Sequence, residues 1–182
     1  NQAGNIKVGT VGGNDVHLFA KAGDMEAGIV SAGHDAILQA ETGNIQLTGG
    51  ITTGHDALLK TETGNITLTG SMTVDNNLLV QTETGNITLT GNANAGQDAQ
   101  LRTAAGNIAF TNVTANRNAD SKVTQEGDIT GTSLQAVNGQ ATVSTQKGTI
   151  NITSAQAKDL LSLTNQAGNI KVGTVGGNDV HL

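Results

Sequence analysis

The sequence contains no cysteine, proline, tryptophan or tyrosine, and only two of its 182 residues are phenylalanine. The absence of cysteine is compatible with either an oxidising or a reducing compartment, so redox chemistry does not locate the protein. A chain of this length can form a sizeable core, but here the core has few large side chains to draw on. We therefore expect it to be built from Ile, Leu, Val, Ala and Thr.

Positive charge is also scarce, since nine lysines and arginines stand against fifteen acidic residues and give a net charge of −6. Aromatic residues make up 1% of the chain. Nucleic-acid binding usually requires a basic surface and aromatic stacking groups, so the composition excludes it. The sequence also has no apolar run of the roughly 18 residues that mark a membrane-spanning helix.

The chain does contain a repeat. ETGNITLTG stands at residues 62–70 and again at 83–91, and ETGNIQLTG stands at 41–49. The glycine that opens each GNI-like unit recurs every 19 to 21 residues over the whole chain. These reference glycines are Gly4, Gly23, Gly43, Gly64, Gly85, Gly106, Gly127, Gly148 and Gly168. A fixed period of this length predicts a repeat architecture.

An apolar residue stands two places after each reference glycine. This column consists of Ile6, Met25, Ile45, Ile66, Ile87, Ile108, Ile129, Ile150 and Ile170. A mostly apolar column follows two places later, from Val8 to Val172. Because the two columns are two residues apart, their side chains lie on the same face of a short β-strand.

Two further segments complete each repeat. Five places before the reference glycine the chain usually carries Leu or Val, but Lys122 stands there once, and we expect a bulge to move Val123 into that position. A third segment, with a less regular apolar pattern, lies between the other two and carries Val11, Ile51, Met72 and Ala93.

Three short strands per unit, separated by Gly, Asn and Asp corners, predict an all-β fold: a right-handed parallel β-helix, or solenoid, of about eight coils. The handedness follows the general rule for parallel crossovers. The L-x-x-L-x-L signature of leucine-rich repeats is missing, and helical repeats need longer units and better helix formers.

Stacked coils bring like residues together at intervals of about 4.8 Å, which favours repetition. We expect the asparagines after the reference glycines to pass side-chain hydrogen bonds along the axis. They are Asn5, Asn44, Asn65, Asn86, Asn107 and Asn169. Burial of each isoleucine in the first column contributes about 1.5 to 3 kcal/mol.

The pattern GNIxLTG followed by xxxGHDALLxTE, at a spacing near 20, resembles the haemagglutinin repeats of filamentous haemagglutinin-like exoproteins. The resemblance implies a right-handed β-helical shaft of a large Gram-negative protein, secreted or at the cell surface and involved in adhesion and virulence. It also implies two-partner secretion through an outer-membrane transporter that would recognise a domain absent from this chain. Such shafts carry distal adhesive or toxic domains, and a host receptor or glycan is an implied partner.

Residues 1–18, NQAGNIKVGTVGGNDVHL, recur without change at 165–182. We interpret the recurrence as the end of one long repeat and the start of the next. Residues 1–182 are therefore expected to be one β-helical segment of a longer rod, whose coils contact neighbouring coils of the parent chain.

An enzymatic β-helix would need a cluster of carboxylates in a groove. The recurring Asp15, Asp35, Asp56 and Asp98 instead occupy a corner, where Asn77 replaces them once. Aspartate at a turn commonly accepts backbone hydrogen bonds, and asparagine can do the same. We therefore predict a protein that is not an enzyme and has no catalytic residue or cofactor.

Two histidines, His34 and His55, occupy the same corner position one coil apart. Together with the adjacent aspartates they could form a weak metal site. Asn76 and Gln97 follow in the same position, which favours a polar corner ladder without a metal.

The last candidate site is an outward column that carries Ile37, Leu58 and Leu79 between His17 and Gln100. Three apolar residues on an outer face can mark an interaction patch for another rod, a folded-back segment or a receptor. The alternative is a stripe that is retained for β-propensity alone.

Overall fold

A computed structural model describes all 182 residues, Asn1 to Leu182, and every regular element in it is a β-strand. The strands stack in parallel through about eight coils, so the fold is the predicted β-solenoid.

The strands form two parallel sheets. The first contains β1 (Ile6–Gly13), β3 (Met25–Ala32), β5 (Ile45–Leu47), β6 (Ile51–Thr53), β8 (Ile66–Leu68), β9 (Met72–Val74), β11 (Ile87–Ala95), β13 (Ile108–Ala115), β15 (Ile129–Ala136), β17 (Ile150–Ala157) and β19 (Ile170–Gly176). The second contains β2 (Val16–Ala22), β4 (Ala36–Thr42), β7 (Ala57–Thr63), β10 (Leu78–Thr84), β12 (Ala99–Ala105), β14 (Ala119–Glu126), β16 (Ala141–Lys147), β18 (Leu160–Ala167) and β20 (Asp179–His181).

Three separate strands per coil occur only where the first sheet is interrupted. The coils that begin at Ile45 and Ile66 each have two short strands in this sheet, whereas the other coils join both segments into one bent strand. The interruptions are residues 48–50 and 69–71, which include Gly49, Gly50 and Gly70. A Cβ at Gly70 would lie 1.1 Å from the carbonyl oxygen of Gly49, so only glycine permits this close approach between coils.

Each coil lies in register on the next. Ile45 pairs with Ile66, Ile66 with Ile87, and Ile87 with Ile108. All four are fully buried, in one continuous cluster of 43 buried apolar residues between the sheets. Of 134 backbone–backbone hydrogen bonds, 43 lie outside the strands, so pairing between coils continues through the corners.

The nine reference glycines all have positive φ, between 95° and 154°. At Gly64 an added Cβ would meet the carbonyl oxygen of Gly43 at 2.1 Å. The corner that contains each reference glycine therefore requires glycine for two reasons: the backbone there has a positive φ, and the preceding coil leaves no room for a Cβ.

The predicted position of Val123 is wrong. The bulge exists, but it follows Val123, so Ser121 lies between Leu101 and Val143 in the apolar column. The extra residue falls between Val123 and Gly127, and counting back from the glycine therefore misplaces the column by one. Ser121 is fully buried and its hydroxyl group has no hydrogen-bond partner.

Replacing Ser121 with valine should stabilise the protein. The change removes an unsatisfied buried hydroxyl group and adds apolar volume in a column that accepts valine at position 143. We expect the free energy of unfolding, measured by chemical denaturation, to rise by about 1–2 kcal/mol. The control is Ser144→Val, at the residue that directly follows Val143 and whose side chain lies on the outer face of the sheet. This change should alter the free energy of unfolding by less than about 0.5 kcal/mol. A loss of stability in Ser121→Val would contradict the assigned register.

Candidate functional site

The first candidate site is the asparagine ladder at the corner before the first sheet. The Oδ1 atom of Asn65 accepts hydrogen bonds from the backbone N–H of Asn86, at 2.9 Å, and from its Nδ2, at 3.1 Å. Asn65 itself donates in the same way to Asn44, at 2.9 and 3.1 Å. Each amide oxygen therefore binds the backbone of the following coil, which explains why the residue type recurs.

The asparagine ladder also includes residues of other types. Asp24 accepts from the backbone of Asn44 at 2.8 Å, and Asp128 accepts from that of Thr149 at 2.7 Å. The Oδ1 atom of Asn107 accepts the backbone N–H of Asp128 at 2.8 Å. A side-chain oxygen thus accepts a backbone N–H at each step from Asn5 to Thr149, and the amide nitrogens of Asn44, Asn65 and Asn86 add a second bond. Thr149 makes no such bond to Asn169, so the predicted ladder ends one coil before Asn169.

The core contains a column of buried threonines; the composition predicts threonine in the core, but the repeat pattern does not identify this column. Thr61, Thr82 and Thr103 are almost completely buried, and each donates its hydroxyl hydrogen to the carbonyl oxygen of the reference glycine one coil earlier, at 3.0 to 3.1 Å. Thr145 makes the same bond to Gly127 at 2.9 Å. The sequence carries the signal as a threonine two places after the Leu/Val column, but alternation alone does not predict that its hydroxyl group bonds to a corner glycine. Val123 occupies this column in the bulged coil.

The recurring aspartates form a second corner ladder. Asp35 Oδ1 accepts the backbone N–H of Asp56 at 3.0 Å, and Asp56 Oδ1 accepts that of Asn77 at 2.9 Å. Asp98 accepts the backbone N–H of Asn118 at 3.1 Å. These carboxylates therefore hold backbone amides, the role that aspartate has at turns.

Charged neighbours modify some of these carboxylates. Hydrogen bonds from the Arg117 guanidinium group, whose Nε lies 2.8 Å from Oδ1, hold the pKa of Asp98 below its usual value. Burial raises the pKa of Asp120, although Arg102 lies 3.2 Å away and partly offsets the effect. Both aspartates are paired with arginine across one coil, so these ion pairs connect adjacent coils.

The two histidines lie at the same corner as the aspartate ladder. Their rings stack with centroids 4.6 Å apart and planes within 4°. The Asp35 carboxylate contacts both rings at Nδ1, with Oδ1 2.9 Å from Nδ1 of His55 and Oδ2 3.2 Å from Nδ1 of His34. The hydrogen bonds from the Asp56 backbone and from His55 keep the pKa of Asp35 below its usual value. The structure therefore brings together the two histidines and the aspartate that the sequence placed near each other.

The candidate interaction patch lies on the outer face of the second sheet. Ile37 pairs with Leu58, and Leu58 with Leu79. All three side chains are half-buried rather than fully exposed. Phe19 stands in the neighbouring outward column one coil before Ile37 and is 41% exposed. The apolar surface thus extends over four coils.

One surface depression lies at the asparagine ladder and is lined mostly by polar residues. Its lining includes Asn5, Lys7, Asp24, Glu26 and Asn44. Its two carboxylates already have partners: Glu26 pairs with Lys7 at 2.9 Å, and Asp24 accepts from Asn44. The carboxylates of this depression are therefore already engaged in contacts between coils.

Comparison of the chain with protein-family models, with curated proteins and with solved structures found no match. The structure has no helix of the length and apolar character needed to cross a membrane.

The contribution of the asparagine ladder can be measured at Asn65. Asn65→Ala removes the acceptor of the Asn86 backbone N–H and the donor to Asn44. Both groups can still reach water, so we expect the free energy of unfolding to fall by only about 0.5–1.5 kcal/mol. Asn65→Asp keeps the acceptor, as Asp24 and Asp128 do in the same column, and should lose less. Equal losses in the two variants would show that the side-chain oxygen does not stabilise the corner.

Proposed function

We propose that the chain is a segment of a stiff shaft whose role is mechanical. One observation carries the proposal: the pairing between coils continues from β1 to β19 in one sheet and from β2 to β20 in the other. No coil is joined to the next by a flexible linker. Such a stack keeps whatever it carries at a fixed distance from its base.

The arrangement of bonds gives the proposed shaft its stiffness. The backbone hydrogen bonds between coils run along the stacking direction, and those outside the strands add to the two sheets at the corners. Bending would lengthen these bonds on one side and compress the apolar core on the other. The buried cluster of 43 residues is continuous, so it offers no weak plane at which the stack would hinge.

The GNIxLTG and GHDALLxTE motifs resemble the haemagglutinin repeats of filamentous haemagglutinin-like exoproteins, and this resemblance supports a more specific proposal. A β-solenoid is the fold that this resemblance implies, and the structure has it. We therefore assign the segment to the shaft of a filamentous haemagglutinin-like protein, secreted or at the cell surface. In this role it would project a distal adhesive or toxic domain and would reach the surface by two-partner secretion.

The recurrence of residues 1–18 at 165–182 supports an eight-coil unit. The two copies occupy equivalent places, since Ile6 lies in β1 and Ile170 in β19, while His17 lies in β2 and His181 in β20. Both isoleucines belong to the same column of register partners. A second unit could therefore continue the stack without a change of register.

A tandem chain tests the shaft directly. Residues 1–164 would be joined to a second copy, residues 1–182, and compared with the single chain by small-angle X-ray scattering. Eight further coils at about 4.8 Å each should lengthen the particle by about 40 Å and leave its cross-section unchanged.

The control is a tandem chain with a flexible Gly/Ser linker between the two copies, which should give a broad distribution of lengths. A direct tandem that is thicker rather than longer would contradict the shaft.

The apolar outer column supports a second candidate function, binding of a host receptor or glycan along the side of the rod. Ile37, Leu58 and Leu79 follow one another in this column, which begins with His17 and continues with Gln100 and Asp120. Phe19 adds exposed apolar surface in the neighbouring column. Apolar surface that is confined to one stretch of an otherwise polar column is typical of an interaction site.

This second candidate predicts that Ile37→Thr, Leu58→Thr and Leu79→Thr together reduce binding of the labelled chain to host cells at least tenfold. Threonine keeps the β-propensity and removes much of the apolar surface. Gln100→Thr in the same column is the control and should bind normally. If the triple variant binds host cells as well as the natural chain does, binding along the side of the rod is contradicted and only the mechanical role remains.

A further inference from the structure

We propose that His34, Asp35 and His55 bind a divalent transition-metal ion of the zinc class at the second corner of the solenoid. This inference is independent of the mechanical role proposed above. It rests on the positions of the two imidazole rings and of the carboxylate that contacts the Nδ1 atom of each ring.

The backbone sets the positions of both rings. The backbone N–H of His34 donates to Asn14 at 2.7 Å, and that of His55 donates to His34 at 3.0 Å. The side chains therefore leave equivalent points on adjacent coils in the same direction, and their rings lie parallel at 4.6 Å. Two imidazoles are thus brought together by the stacking of the coils.

The donor atoms converge on one carboxylate. Nδ1 of His55 lies 2.9 Å from Oδ1 of Asp35, and Nδ1 of His34 lies 3.2 Å from its Oδ2. Zinc forms bonds of about 2.0–2.2 Å to nitrogen and oxygen, which places neighbouring ligand atoms about 3.3 Å apart in a tetrahedral site. Each nitrogen is already close to this separation from one of the two carboxylate oxygens, His55 from Oδ1 and His34 from Oδ2. A single ligand atom from each residue can be chosen so that all three lie within 4.8 Å of one another.

The site is open to an ion and allows small adjustments. The side chains of His34, Asp35 and His55 are 53%, 30% and 41% exposed. Rotation of the half-exposed rings can close the remaining gap between the two nitrogens, while the backbone stays paired. The corner therefore needs no refolding to bind the ion.

Two further carboxylates surround the site. Asp15 Oδ1 lies 3.3 Å from Nδ1 of His34, and Asp56 Oδ2 lies 3.4 Å from Nδ1 of His55. With Asp35 they place three acidic groups around two imidazoles, which attracts a divalent cation. Imidazole nitrogens with carboxylate oxygens suit zinc and its neighbours in the first transition row, whereas calcium and magnesium prefer oxygen ligands alone.

The backbone ladder does not itself require histidine at this corner. In the next coil Asn76 occupies the same position, and its backbone N–H donates to His55 at 2.9 Å. Gln97 then donates to Asn76 at the same distance. Histidine is therefore an addition to the ladder at two coils, and asparagine is a replacement that the fold already accommodates.

Zinc titration of the natural chain, followed by NMR of the histidine side chains, tests the proposal. The chain has four histidines, His17, His34, His55 and His181, and no cysteine that would compete for the ion. We expect the ring resonances of His34 and His55 to shift together as zinc is added, while those of His17 and His181 remain in place. Shifts of similar size in all four rings would overturn the proposal, because they would indicate non-specific binding.

Isothermal titration of matched variants gives a second measurement. His34→Asn with His55→Asn should weaken zinc binding at least tenfold, and so should Asp35→Asn, since Asn77 stands in the same aspartate ladder. The control is His17→Gln, because Gln100 occupies the same outward column, and its zinc affinity should equal that of the natural chain. Equal zinc affinity in the double variant and the natural chain would overturn the proposal.

Zinc should also raise the thermal unfolding temperature of the natural chain and of His17→Gln, but not that of the double variant, because binding to the folded state stabilises it. Calcium at the same concentration should have no such effect. A calcium effect equal to that of zinc would show an unselective acidic surface and would contradict the assignment of imidazole ligands.

Discussion

The structure depends on the in-register pairing of each coil with the next. Because the chain returns to the same point of the cross-section after about 20 residues, a residue such as Ile66 has a counterpart directly above and below it. The same constraint determines which residues can occupy the corners. Gly64 needs a positive φ and has no room for a Cβ beside Gly43, and Asn65 needs an oxygen that reaches the following coil.

Departures from the repeat are compensated by neighbouring coils. Phe110 is the one aromatic residue in the core, and glycine lies next to it at position 131. A Cβ at Gly131 would lie only 2.2 Å from the Phe110 ring, so the large side chain occupies the space of its neighbour. Ser121 and Val123 show a less complete compensation, since a polar residue stands in an apolar column and an apolar one in the threonine column.

Much of this fold could be predicted because period and alternation are local properties of the sequence. The stacking of Ile45, Ile66 and Ile87 follows from a 21-residue step and a spacing of two, and the asparagine ladder follows from the same step. The position of the bulge could not be predicted, because a one-residue insertion can be placed on either side of Val123 without changing the count. Whether two segments join into one strand could not be predicted from these glycines, because Gly91 approaches Gly70 closely within the continuous strand β11, whereas Gly70 approaches Gly49 where the strand is interrupted. The proximity of His34 and His55 was predictable, but the convergence of their Nδ1 atoms on Asp35 depends on side-chain rotation.

The most direct test of this account is a nuclear Overhauser measurement on the isotopically labelled chain. Parallel stacking predicts backbone contacts between residues 21 apart, with Ile66 close to both Ile45 and Ile87, and the same offset repeated for neighbouring residues along each strand. Contacts whose partner number falls as the residue number rises would show antiparallel pairing. Such a result would contradict the solenoid, its ladders and the mechanical role proposed for it.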